Sequence, residues 1–172
     1  MNLQERAEDF IFIGEDWFAK KYANKSDCRY ATFKTALNLY LQQDGKVIVE
    51  TGCARQHGDY GAGLSSLLFC DFLSRYGGHL WSIDISDANL KVCADITKEF
   101  ESFRTLISGD SAVKLSSLNQ DPNFANKKID LLYLDSWDYP YGDLLNLYGG
   151  QVDIDKAVKI LDSLSEKEVM AT

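Results

Sequence analysis

Four acids stand at or just past the ends of short apolar runs. Glu50 follows KVIV, Asp84 ends HLWSID, Asp110 follows the run from Arg104 to Ile107, and Asp135 ends IDLLYLD. If each run is a strand of one open parallel sheet, the four carboxylates gather along the crevice at the carboxyl ends of the strands. Acids that close together repel unless donors or positive charge engage them. A ligand bearing hydroxyls, an exocyclic amine and a cationic centre supplies both.

The elements that must position these acids can be read from hydrophobic periodicity. Val47, Ile48 and Val49 form a β-branched run without polar alternation, the pattern of a central strand covered on both faces, and Glu50, Thr51 and Gly52 end it. Gly58, Gly61 and Gly63 then give a loop that can bring backbone amides close to a ligand before a helix from Leu64 to Tyr76, stopped by Gly77 and Gly78. His79 to Asp84 is the second strand, and Ser86 or Asp87 can cap a helix carrying Leu90, Val92, Cys93, Ile96 and Phe100. A third strand covers Arg104 to Ile107, a short helix Ala112 to Leu118, and a fourth strand Ile129 to Asp135. Residues 3 to 22 and Tyr30 to Leu41 read as helices in an N-terminal segment (1–45) that packs on the core (46–172), and a last helix covers about Asp153 to Val169. Strands alternating with helices specify an α/β fold of Rossmann-like, doubly wound type with a parallel sheet, in a single domain.

Composition narrows the partners. The 172 residues carry a net charge of −8, which opposes binding to nucleic acid or to an anionic membrane surface and favours a small-molecule partner. Cys28, Cys53, Cys70 and Cys93 include no C-x-x-C pair and no zinc-finger spacing, as expected of reduced thiols in a cytoplasmic protein. The acidic N-terminus lacks the basic start of a signal peptide, and no apolar run reaches the roughly 20 residues of a membrane span.

The order ETG loop, SID, GDS and YLD, with the extended ETGC-x-R…G-x-G-x-S-S first loop, resembles the class I S-adenosylmethionine-dependent methyltransferases, and within them the small-molecule O-methyltransferase branch. The resemblance spans Lys46 to Asp138. It implies that Glu50, Thr51, Gly52 and Cys53 face the methionine part of S-adenosylmethionine, with Gly61, Gly63 and Ser65 bringing the loop close. It further implies that Asp84 accepts from the ribose hydroxyls with Ile85 beside it, and that Asp110, Gly109 and Ser111 meet the adenine. Asp135 and Asp138 then fall near the sulfonium and the methyl acceptor as catalytic residues, where several relatives hold a base or a divalent metal such as magnesium. The implied activity is methyl transfer to a small-molecule acceptor, at a hydroxyl oxygen.

Each residue also has a plainer role open to it. Asp84 or Asp110 can simply cap the following helix, His57 can be a solvated loop histidine beside Arg55, Asp59 and Tyr60, and Trp137, Tyr139 and Tyr141 can be core rather than an acceptor wall. The full sheet of the resembled family continues beyond a fourth strand, whereas no further strand is legible here. The expectation is a C-terminally incomplete core, or an edge covered in a homo-oligomer through that edge or the N-terminal helices. A non-catalytic cofactor-binding module therefore stays open as a second reading. A nicotinamide-dependent oxidoreductase is disfavoured, because G-x-G-x-x-G should follow the first strand directly and eight residues separate Gly52 from Gly61.

Overall fold

In the computed structural model of the chain, the described residues are 15–26, 29–60 and 64–135. Among them the β-branched run becomes β1 (Val47–Thr51), every residue of which is buried. It pairs in parallel with β2 (His79–Asp84) on one side and with β4 (Leu131–Leu134) on the other, and β3 (Arg104–Ser108) pairs in parallel with β2. The strand order is β3-β2-β1-β4. The chain thus moves outward from β1 to β3 and returns to the opposite side of β1, which sets a topological switch point between β1 and β4.

Helices cover both faces. On one face α3 (Ser65–Tyr76) lays Leu68, Phe69, Phe72 and Leu73 over Ile48 and Leu80, joined by Phe18 and Tyr22 of α1 (Glu15–Tyr22) and Phe33, Leu37 and Tyr40 of α2 (Tyr30–Gln42). On the other, Leu115 of α5 (Ser111–Ser117) and Leu118 pack with Val47, Val49, Trp81, Ile83 and Phe124. Strand alternation explains the division, since successive side chains of β1 and β2 point to opposite faces. The α/β, doubly wound parallel architecture expected from the sequence is therefore present, with α1 and α2 sharing the core under α3.

Boundaries differ in instructive places. Strand β1 continues through Glu50 and Thr51, because Glu50 pairs with Ser82 and Tyr133 and Thr51 with Ile83 and Leu134. The helix α4 (Asp87–Ile96) stops before Phe100: Thr97 turns its hydroxyl back onto the Cys93 carbonyl at 2.6 Å, and Phe100 falls in a following 3-10 turn, Lys98–Phe103. The expected segments before residue 15 and after residue 135, including the last helix and any further strand, lie outside the described residues.

Two polar ties hold these layers in register. Glu50, wholly buried, points up under α3, where Ser66 and Ser82 donate to its Oε1 at 2.5 and 2.7 Å and Ser65 to its Oε2 at 3.0 Å. Burial pushes the Glu50 carboxyl up to about 8, against the lowering effect of the serine hydroxyls. Farther along α3, buried Asp71 accepts from Tyr22 at 2.9 Å and from Lys21 at 2.8 Å, fixing α1 to α3.

Both ties have measurable consequences. Glu50→Ala orphans buried hydroxyls, so denaturant unfolding should report a loss of about 2–4 kcal/mol, whereas the isosteric Glu50→Gln keeps partners and should lose less than about half of that. The folded state also holds a proton on Glu50 that the unfolded chain releases above its ordinary carboxyl range. The Glu50 contribution to stability is therefore complete below about pH 4.5 and lost as pH rises through about 8. Wild type should lose stability relative to Glu50→Gln by roughly 1 kcal/mol per pH unit within that window, and parallel pH profiles would refute the assignment. At the second tie, Asp71→Ala should cost about 2–4 kcal/mol, non-additively with Tyr22→Phe in a double-mutant cycle.

Candidate functional site

The carboxyl ends of the four strands form one rim, and the expected residues reach it unequally. At the end of β2, Asp84 is 8% exposed. Its Oδ2 accepts from the Cys53 amide at 3.0 Å, its Oδ1 from the Ser86 amide at 2.7 Å, and the Asn89 side chain lies 3.3 Å from both oxygens. The carboxylate thus binds the loop after β1 to the start of α4. It is not the helix cap, since Ser86 occupies that position and its Oγ accepts from the Asn89 amide.

Beside Asp84 the rim is apolar and open. Ile85 is 74% exposed and Val113, in the first turn of α5, is 62% exposed. Between them in sequence, Gly109 takes φ of +143°, and its amide donates to the Asp84 carbonyl at 3.0 Å. An L side chain rarely adopts that backbone, which explains the glycine. Asp110 is the N-cap of α5, its Oδ1 accepting from the Val113 amide at 3.1 Å, and Ser111 is the first residue of the helix. The plainer capping role is therefore the one Asp110 performs here, on an exposed side chain.

The switch point lies where β1 and β4 stand side by side in the sheet. Gly52 has φ of +77° and donates its amide to the Ile83 carbonyl at 2.8 Å, while the Asp135 amide donates to the Thr51 carbonyl at 2.9 Å. The Thr51 hydroxyl is buried without a hydrogen-bond partner. The Asp135 carboxylate lies 3.3 Å from Arg29 Nη1 and 3.3 Å from the Tyr133 hydroxyl, and Arg29 also donates to the Tyr60 carbonyl at 3.0 Å. Burial raises the Tyr133 phenol, with the nearby Asp135 charge adding to it and Arg29 opposing.

Two expected site residues, Glu50 and Ser65, lie beneath the rim, bonded to one another. Gly61, Gly63 and Asp138 fall outside the described residues, as do Trp137, Tyr139 and Tyr141. His57 lies on the loop surface, 3.1 Å from Asp95 of α4, with both side chains mostly exposed. Among the described residues no group of three or more His, Cys, Asp or Glu side chains converges as a metal site. Asp135 offers a carboxylate already shared with a guanidinium, which by itself suits a hard cation poorly, since such an ion takes about six or more oxygen ligands.

Four residues were not singled out from the sequence as site residues: Asn89 on Asp84, Arg29 on Asp135, and Ser66 and Ser82 on Glu50. Ser82 could have been found from strand register, because it stands directly opposite Glu50 on the same face. Arg29 could not, being 106 positions from Asp135.

Among the described residues no helix is long and apolar enough to cross a membrane. In comparison with known proteins, no family model matches the chain and no curated protein matches it at a significant level.

Proposed function

We propose that the rim binds S-adenosylmethionine and that the chain transfers its methyl group to a small-molecule acceptor, at a hydroxyl oxygen. The observation that carries this reading is Asp84. A carboxylate at the end of the strand next to the switch point, anchored by two backbone amides and flanked by exposed Ile85 and Val113, suits a ribose diol attached to a flat base. The two Asn89 contacts at 3.3 Å are the long ones, and so the ones that diol hydroxyls can replace.

When bound, the cofactor supplies a methyl group on a sulfonium, which leaves as a neutral thioether. The protein's part is orientation and exclusion of water. Asp84 fixes the sugar, Ile85 and Val113 cover the two sides of the base, and the free Asp110 oxygen takes an amine hydrogen. Asp135, at the β1–β4 switch point, accepts the proton from the acceptor hydroxyl, with Tyr133 and Arg29 holding its carboxylate in place.

The Arg29–Asp135 pair also favours a second reading, a cofactor-binding module without turnover, because a carboxylate paired with a guanidinium is a weaker base. The two share the cofactor site and differ only in turnover.

Calorimetry with S-adenosylmethionine and, separately, NAD tests the common part. Micromolar affinity for the sulfonium cofactor is expected, falling at least about ten-fold in Asp84→Asn, the loss of one charge-assisted hydrogen bond. Ile85→Asp should weaken binding comparably without altering the melting temperature, since the side chain is exposed. Binding of NAD alone, or sulfonium binding untouched by both substitutions, would sink the proposal.

A further inference from the structure

Arg29 occupies a position that helix chemistry disfavours. It is the N-cap of α2, its side chain makes no capping hydrogen bond, and the first turn carries no acidic residue to offset it. Ser, Thr, Asp or Asn suit that position, and a cation there opposes the helix dipole. The side chain instead reaches across to the switch point, where Nη2 donates to the Tyr60 carbonyl at 3.0 Å. Nη1 lies 3.2 Å from the Tyr133 hydroxyl and 3.3 Å from Asp135 Oδ2.

We propose that Arg29 is the specificity residue of the acceptor site, and that the acceptor is a hydroxy acid whose carboxylate takes the guanidinium in place of Asp135. The role of that ligand as methyl acceptor rests on the proposed function, whereas the carboxylate site itself does not.

The two ends of the guanidinium differ. Bonds between a charged N–H and a carboxylate run to about 2.7–2.9 Å, so the contact with Asp135 is stretched, while the bond to the Tyr60 backbone has ordinary length. Tyr60 is itself held, because Lys25 Nζ donates to its hydroxyl at 3.1 Å and lies 4.8 Å from its ring centroid. Nη2 is thus the anchored end and Nη1 the exchangeable one. The Arg29 and Asp135 side chains are 30% and 31% exposed, so a ligand reaches the pair without opening the core.

Charge selects the ligand. A neutral acceptor leaves Asp135 clamped to Arg29, where the guanidinium stabilises the ionised carboxylate and makes it a poor base. An incoming carboxylate replaces one ion pair by another, so the guanidinium is never left without a counter-charge. A single negative charge suits the site better than a dianionic phosphate, because Asp135 stays beside the ligand and repels it. The acceptor then binds with its carboxylate on Arg29 and its neighbouring hydroxyl on Asp135, the group that takes the hydroxyl proton, while the Tyr133 hydroxyl stays on that carboxylate.

Calorimetry on the full-length chain with 2-hydroxybenzoate, benzoate and phenol as probes tests the site. Expected is binding of 2-hydroxybenzoate at least about ten-fold tighter than of phenol, the worth of one charge-assisted hydrogen bond, with benzoate between them. Arg29→Met should erase the difference, and Arg29→Lys should restore part of it. Asp135→Asn removes the competing carboxylate, so benzoate should bind about ten-fold tighter than to wild type, whereas a purely structural ion pair leaves that affinity unmoved. Unchanged benzoate affinity in Asp135→Asn therefore overturns the proposal whatever the stability of the Arg29 variants. Equal affinity for phenol and 2-hydroxybenzoate, tighter binding of inorganic phosphate, or a carboxylate preference that survives in folded Arg29→Met overturns it as well. A carboxylate preference without affinity for S-adenosylmethionine upholds the Arg29 site and counts against the methyl-transfer reading. Methyl transfer to phenol but not to 2-hydroxybenzoate overturns the acceptor role of the hydroxy acid.

Discussion

The constraint on which the structure depends is the carboxyl of Glu50 in the middle of the core. A carboxylate in that position is costly to desolvate, and the chain answers with three serine hydroxyls and a raised affinity for the proton. Two of the serines begin α3 and the third lies on β2, so satisfying Glu50 fixes where the helix starts relative to both strands. Ser66 extends the chain of hydrogen bonds to the Ala54 amide, and through it to the loop beyond β1. The position of that loop, and hence of the amide that meets Asp84, follows from a polar group that never reaches the surface.

Apolar packing alone would leave these elements freer to slide. Ile48, Leu80, Leu68 and Leu73 are buried together on the α3 face, but aliphatic contacts tolerate small changes in register. The Glu50 and Asp71 ties are directional, and each joins elements distant in sequence. One stands near the carboxyl end of the sheet and the other holds α1, so α3 is pinned at two points to its neighbours.

Much of this architecture was legible before the fold was known. The β-branched run of β1 and the residues of HLWSID marked strands correctly, because strands covered on both faces leave a near-continuous apolar run. The end of α4 was misread: Leu90, Cys93, Ile96 and Phe100 keep helical spacing, yet Thr97 competes for a backbone carbonyl and breaks the helix after Ile96. At the rim, the acids at strand ends were visible, but their division of labour was not. Sequence spacing places Glu50, Asp84, Asp110 and Asp135 alike, whereas burial separates an acid locked under a helix from one bonded to two amides, one capping a helix and one paired with arginine. Those distinctions come from partners such as Ser82, Asn89 and Arg29, which no local pattern connects to the acids they serve.

The pairing of Arg29 with Asp135 bears on the order in which the molecule is assembled. The two residues are 106 positions apart, bridging the approach to α2 and the end of β4. Contacts within β1, α3 and β2 close over much shorter loops and carry a smaller entropic cost. During synthesis the sheet can grow as far as β3 before the last described strand leaves the ribosome. The switch point between β1 and β4 is then built by a segment made late docking against one made early. A partly synthesised chain therefore holds most of the hydrophobic core but only one side of its rim.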